Sequence, residues 1–173
     1  MDDKVYNFLD TQLERVSQWL TFAEAKNIAL ITFSVAVVAL FFDIIGNSTI
    51  AIFSLVLSAL SCGFALWSFF PQTDSIPKND ALNRTGECNS RINLVFWKDI
   101  ASLCDDKEYL KQIDEYYFKT NGAILEDRHC IDLSRSIVVN SRIARYKYKL
   151  FTFALRAEIG ALILLGVATL IAR

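Results

Sequence analysis

Apolar and polar residues separate along this chain into long blocks. In residues 4–24, Val5, Leu9, Val16, Trp19 and Ala23, with Phe8, Leu13 and Leu20 beside them, recur at three- and four-residue spacing. That period predicts an amphipathic helix. Ile28–Ile45 follows, eighteen residues with one acid, Asp43, near its end. Ile50–Phe70 is twenty-one residues without a charge. A third run, 150–172, carries Arg156 and Glu158 in its first turns, so its uncharged part, Ile159–Ala172, is fourteen residues. At about 1.5 Å per residue, the first two runs are long enough to cross about 30 Å of hydrocarbon. The third crosses if Arg156 snorkels to the headgroups and Glu158 sits at the interface or pairs.

The turn GNST at 46–49 is too short for an external domain, so the first two runs form an antiparallel hairpin. Ser54, Ser58, Cys62 and Ala65 put small residues on one face of the second run, suited to close helix contact in lipid. Residues 71–92 hold both prolines and many turn formers and predict an unusually long loop, of the length seen in binding elements or in disordered segments. Residues 92–103 predict a short helix or a buried turn. Asp105 and Asp106 open a helix, DDKEYLKQIDEYYFK, with its acids early, as the helix dipole prefers, and Leu110, Ile113 and Tyr117 on one side. Asn121-Gly122 stops it.

No proline or glycine occurs between Gly122 and Gly160. One long helix, or two stacked ones, is therefore expected from Ala123 into the third run. At about 100° per residue, Leu133, Ile137, Ala144, Tyr148 and Phe151 share a face. Arg135, Arg142, Arg145 and Lys149 lie roughly opposite, and Asn140 and Lys147 flank the apolar face. Lys147 is thus the basic residue that points inward, and it needs a partner, either Asp99 or a ligand phosphate.

The organisation that results is all-α. An amphipathic cytoplasmic helix spans 1–27, and membrane helices span 28–45, 50–70 and 150–172. A helical cytoplasmic sensor or assembly domain spans 71–149. Composition agrees, with 53% apolar residues and a mean hydropathy of +0.31. The segment 1–27 counts five acids against three bases, so its helix is expected to pack on protein, its own polar part or a neighbouring subunit, rather than on anionic lipid. Of the 18 Lys and Arg residues, thirteen fall in 71–149. The positive-inside tendency then puts the N-terminus and 71–149 in the cytoplasm of a bacterial inner-membrane protein. The first apolar run begins at position 28 behind an acidic segment, which is not the pattern of a secretory signal.

Catalytic patterns are missing. No phosphate-binding Gly-rich loop, zinc-protease helix or nucleophile elbow occurs, and His129 is the single histidine. Four cysteines, Cys62, Cys88, Cys104 and Cys130, show no C-x-x-C pairing and are expected to be reduced structural thiols. No enzyme, metal site or cofactor is expected.

Three stretches carry a family resemblance: AEAKN at 23–27, NLVFWKDIA at 93–101 and NSRIARYKYKL at 140–150. Their order and setting resemble the Pycsar membrane effectors, and the likeness covers nearly the whole chain. It implies a receptor of an antiphage system. The activating ligand would be cyclic CMP or cyclic UMP, made by a pyrimidine cyclase, and the response would be impairment of the inner membrane and death of the infected cell. Positions matching the family pattern are Lys26, Asn93, Phe96, Asp99, Asn140, Arg142 and Lys147. The candidate ligand residues are Asn93, Trp97, Asp99, Arg135, Asn140, Arg142, Arg145 and Lys147. Among them Arg or Lys suits the phosphate, Trp97 suits stacking on the base, as Tyr146 also would, and Asn or Asp suits its polar edge. The same residues have plainer readings. The basic run can serve headgroup contact and topology, Asn93 and Asp99 can cap or pair, and Lys26 can anchor at the interface. The expected partners are the bilayer, the cyclic mononucleotide and further copies of the chain in a homo-oligomer, with no nucleic-acid polymer. The alternative function is a ligand-independent holin-like pore former or membrane scaffold.

Overall fold

The computed structural model describes residues 3–44, 49–70, 93–103 and 105–171, and no side chain at 40–44. Expectations for 71–92, for most of the turn at 46–49, and for Asp43, Cys88 and Cys104 fall outside the described residues. Helix α1 is Asp3–Ile44, 42 residues without interruption. Helix α2 is Thr49–Trp67. Short helix α3 is Trp97–Ile100, and α4 is Asp106–Ile113, prolonged by one π-helical turn, Asp114–Phe118. Helix α5 is the single turn Ala123–Glu126, and α6 is Arg128–Ile171, 44 residues. No strand occurs among the described residues, so the fold is all-α. Helices α1, α2 and α6 are long and apolar enough to cross a membrane, and the chain is a membrane protein.

The chain divides into two compact units, Met1–Thr21 with Gln72–Arg145 and Phe22–Pro71 with Tyr146–Arg173. Helices α1 and α6 contribute to both.

In the first unit α1 buries Val5, Leu9, Gln12 and Val16. The core they join includes Ile100, Leu103, Tyr109, Leu110, Ile113, Ile124 and Ile137. Ring contacts fix the pairing: Phe8 lies 5.5 Å from both Tyr117 and Phe118, and Tyr6 lies 5.3 Å from His129. Of the two partners left open for the acidic helix, the structure shows its own polar part. Trp19, expected on the inner face, is 41% exposed although its ring meets Trp97. Gln12 occupies the inward phase instead.

Two aspartates decide where helices end here. Asp114 accepts from the Thr120 amide at 2.5 Å, the Thr120 hydroxyl at 2.7 Å and the Gly122 amide at 2.7 Å. Burial raises its pKa, but these bonds outweigh burial and leave it lowered. The carboxylate folds the chain back, with Lys119, Asn121 and Gly122 at positive φ. The helix loses regular α geometry at Asp114 and ends at Phe118, with Lys119 as its left-handed cap, just ahead of the stop expected at Asn121-Gly122. Asp127 then interrupts the helix expected from Ala123. Its Oδ1 accepts from the amides of His129 at 2.8 Å and Cys130 at 3.1 Å, an N-cap that starts α6. Its Oδ2 accepts from the Tyr6 hydroxyl at 2.8 Å. That bond, with burial and the charge of Asp127, pushes the Tyr6 pKa up to about 12.

In the second unit the buried positions alternate by three and four. They are Ala23, Asn27, Leu30, Ser34 and Val37 on α1, and Ala51, Ser54, Ser58, Ser61 and Ala65 on α2. Helix α6 adds Ala154, Glu158, Ala161 and Ala168. This is the spacing of a coiled-coil seam, filled with small and polar residues as in membrane helix packing. Ile28, Phe33, Val35, Ile52, Phe53, Leu60, Ile163 and Leu170 face outward. The small face expected on α2 is present at Ser54, Ser58 and Ala65, but Ser61 is buried where Cys62 was expected, and Cys62 is half-buried.

Replacing Asp114 with Ala is expected to lower stability by about 2 kcal/mol, the scale of hydrogen bonds to a charged group. A lowered carboxylate pKa stabilises above the unfolded pKa of about 3.9. The gap between wild type and Asp114→Ala should therefore be full at neutral pH and close as pH falls through the lowered value. Thermal unfolding of both chains in detergent across pH measures this.

Candidate functional site

The AEAKN stretch on α1 and the KYKLF stretch on α6 meet inside the second unit. Lys147 points inward, as the helical period indicates, with its side chain 12% exposed. Its ammonium is paired with the Glu24 carboxylate and lies 5.7 Å from the centre of the Phe69 ring. Asp99, the protein partner expected, is engaged elsewhere. The Lys26 ammonium lies over three rings, Phe22 at 4.5 Å, Tyr148 at 5.3 Å and Phe151 at 5.7 Å. These are cation–π contacts, favoured where water is partly excluded. Next to them the buried Asn27 side-chain amide donates to the Ser68 hydroxyl at 2.9 Å and to the Ala23 carbonyl at 3.1 Å. An anion that engages Lys147 must displace Glu24.

In the first unit the NLVFWKDIA stretch is closed on itself. The Asn93 amide donates to Asp99 Oδ2 at 3.3 Å, and Asn93 Oδ1 accepts from the Val95 amide at 3.0 Å. Trp97 is buried, with tilted ring contacts 5.6 Å from Phe96 and 6.4 Å from Trp19. Arg142 on α6 donates from Nη2 to the Leu103 carbonyl at 2.8 Å. Arg135 is exposed near Asp106. The Asp106 carboxyl is held above its usual value by its hydrogen bond to Asp105, then by burial and the charge of Asp105, and Arg135 pulls it the other way. Asn140 and Arg145 are partly buried on α6. The structure thus joins Asn93 to Asp99 and ties Arg142 to the end of that segment. Arg135, Asn140 and Arg145 lie along α6, and Lys147 belongs to the second unit.

Sequence reasoning missed two partners. Glu24 carries no signal beyond its place between buried Ala23 and Asn27. Glu158, expected at an interface or in a pair, is buried on the α6 seam. It accepts from the Ser34 hydroxyl at 2.8 Å and from the Ser58 hydroxyl at 3.1 and 3.2 Å. Its phase with Ala154 and Ala161 was the available signal.

Residues 8–172 match the family model described as Pycsar effector protein domain, a span that contains all three motif stretches. No curated protein and no solved structure matches the chain.

A double-mutant cycle on Glu24→Ala and Lys147→Ala should give a coupling of about 1 kcal/mol, the upper range for a pair with one partner at the surface. The coupling should shrink as salt is raised. Unfolding midpoints of the four chains in detergent give the value.

Proposed function

The chain belongs to the Pycsar effector family, matched over residues 8–172, and from that premise we propose that it senses a cyclic pyrimidine mononucleotide and then impairs the membrane that holds it. Membership makes it an antiphage effector, a class apart from known enzyme families. The proposal places it in the bacterial inner membrane as a homo-oligomer, with its N-terminus and 71–149 on the cytoplasmic side, where the positive-inside tendency puts a segment holding thirteen Lys and Arg residues.

The observation that carries the reading is α6. One helix begins in the polar unit and ends in the third apolar run. The ligand is a monoanion, and the stripe of Arg135, Arg142 and Arg145 on this helix is chemically suited to a phosphate. Arg142 already holds the Leu103 carbonyl. A phosphate that takes the guanidinium from that carbonyl releases the end of the 93–103 segment from α6. Ligand binding then distinguishes two arrangements of the segment, which is what coupling requires. Stacking of the base on Trp97 requires opening its contacts with Trp19 and Phe96, so that stacking would accompany the same release.

Calorimetry with cyclic CMP and cyclic UMP should show binding of one or both. Arg142→Ala should weaken it about tenfold or more, the equivalent of one charge-assisted contact. Liposomes carrying the chain should leak entrapped solute only after nucleotide is added. Leakage without nucleotide, and no heat with it, would instead mark a ligand-independent pore former.

A further inference from the structure

The second unit holds an ionisable group inside its helix seam, where an apolar or small side chain would be expected. Glu158 is 1% exposed, on the seam of a membrane-spanning helix. A carboxyl group at such a position is costly, and such groups usually mark ion or proton pathways. Oxygens gather around Glu158 and again farther along the seam, with the apolar cluster of Leu30, Ala65 and Ala154 between the two groups. The Asn27 amide meets the Ser68 hydroxyl at 2.9 Å. Ser34 and Ser61 hydroxyls are 3.4 Å apart, and Ser34 also reaches Glu158 at 2.8 Å. The Ser58 hydroxyl reaches both carboxylate oxygens, at 3.1 and 3.2 Å, and lies 3.5 Å from the Ser34 carbonyl. Ser54 follows one turn on, 2.5 Å from the Ala161 carbonyl.

From Ser68 to Ser54 is fourteen residues, about 21 Å at about 1.5 Å per residue. That is most of an apolar core of about 30 Å. Buried Ala51, Ala65, Ala154, Ala161 and Ala168 leave small side chains beside these oxygens. A second observation points to a ligand. Asn27 Oδ1 is fully buried, and among the described residues it accepts no hydrogen bond while its own amide group is fixed on Ser68 and Ala23. An unfilled acceptor thus sits in the farther group.

We propose that this seam is a route for a small monovalent cation, the proton or an alkali ion, with the Glu158 carboxylate as its binding group and the Ser34, Ser58 and Ser61 hydroxyls as companion oxygens. The inference rests on the membrane-impairment reading above and makes it specific: the membrane fails by loss of an ion gradient. An alkali ion is met by the carboxylate and by hydroxyl oxygens turned toward it. A proton adds to one carboxylate oxygen, and the new O–H donates to a serine oxygen. That serine passes its own proton to the next oxygen. One proton enters, one leaves, and no group is consumed.

The first test needs no nucleotide. The full chain in liposomes is treated with dicyclohexylcarbodiimide, which adds to carboxyl groups in apolar surroundings, and adducts are placed by peptide mass. An adduct at Glu158 is expected, and none at that position in Glu158→Gln. Protection by Na+ or K+ identifies an alkali ion, and an adduct indifferent to both identifies the proton. A Glu158 that stays unlabelled overturns the proposal. The second test adds cyclic CMP or cyclic UMP and follows entrapped pH-sensitive and alkali-sensitive dyes. Glu158→Gln and Ser58→Ala should each cut the flux about tenfold, the loss of one charge-assisted contact, with nucleotide heats unchanged. Ser58→Ala keeps the carboxyl group, so it reports even if Glu158→Gln folds poorly, and helix content by circular dichroism checks both. Wild-type flux in both variants sinks the ion route and leaves the effector reading intact. A wild type that neither binds nucleotide nor conducts sinks the effector reading, and the labelling result alone then decides the ion site.

Discussion

A polar group inside hydrocarbon has no water to turn to, and the second unit is organised around that limit. A helix closes its backbone bonds within itself, and a buried side-chain oxygen left over needs a partner of its own. Glu158 imposes the strongest demand, and serines from α1 and α2 answer it together. Lipid tails are as apolar as leucine, so apolar seams give membrane helices little reason to prefer each other over lipid. The small and polar seam gives that reason through close approach and hydrogen bonds.

Helix α1 serves two solvents with one phase. In the first unit its buried stripe is Val5, Leu9, Gln12 and Val16, a water-soluble pattern in which apolar area drives burial. Further along, the same stripe becomes Ala23, Asn27, Leu30, Ser34 and Val37. The period holds while the chemistry changes, because the geometry of the helix is fixed and its surroundings are not. Where the apolar run begins, the charges are held rather than left to water: Lys147 by Glu24, and Lys26 by aromatic faces.

The large features were legible because they depend on period and length. The all-α class, the three long apolar helices and the inward turn of Lys147 all follow from spacing. Features set by local competition were not. Asp127 lies in a stretch free of glycine and proline, yet its carboxylate satisfies the first amides of α6 better than a continued helix would. Asp114 does the same at the end of α4. Choosing Ser61 over Cys62 needed the order four, three, four rather than four, four, three. Glu24 as the partner of Lys147, and the serines around Glu158, depend on which helices meet, which no spacing within one segment reveals. The contacts of the candidate ligand residues among themselves, Asn93 with Asp99 and Arg142 with Leu103, were likewise invisible to the sequence.

Because α6 is unbroken from Arg128 to Ile171, its length is restricted in a way that a hinged connection would not be. One residue gained between Ala154 and Glu158 turns the carboxyl group by about 100° from the seam that Ala154 marks. Gains or losses that keep the phase come in steps near seven residues. Among chains built on this plan, length differences within the helix should therefore be rare and quantised.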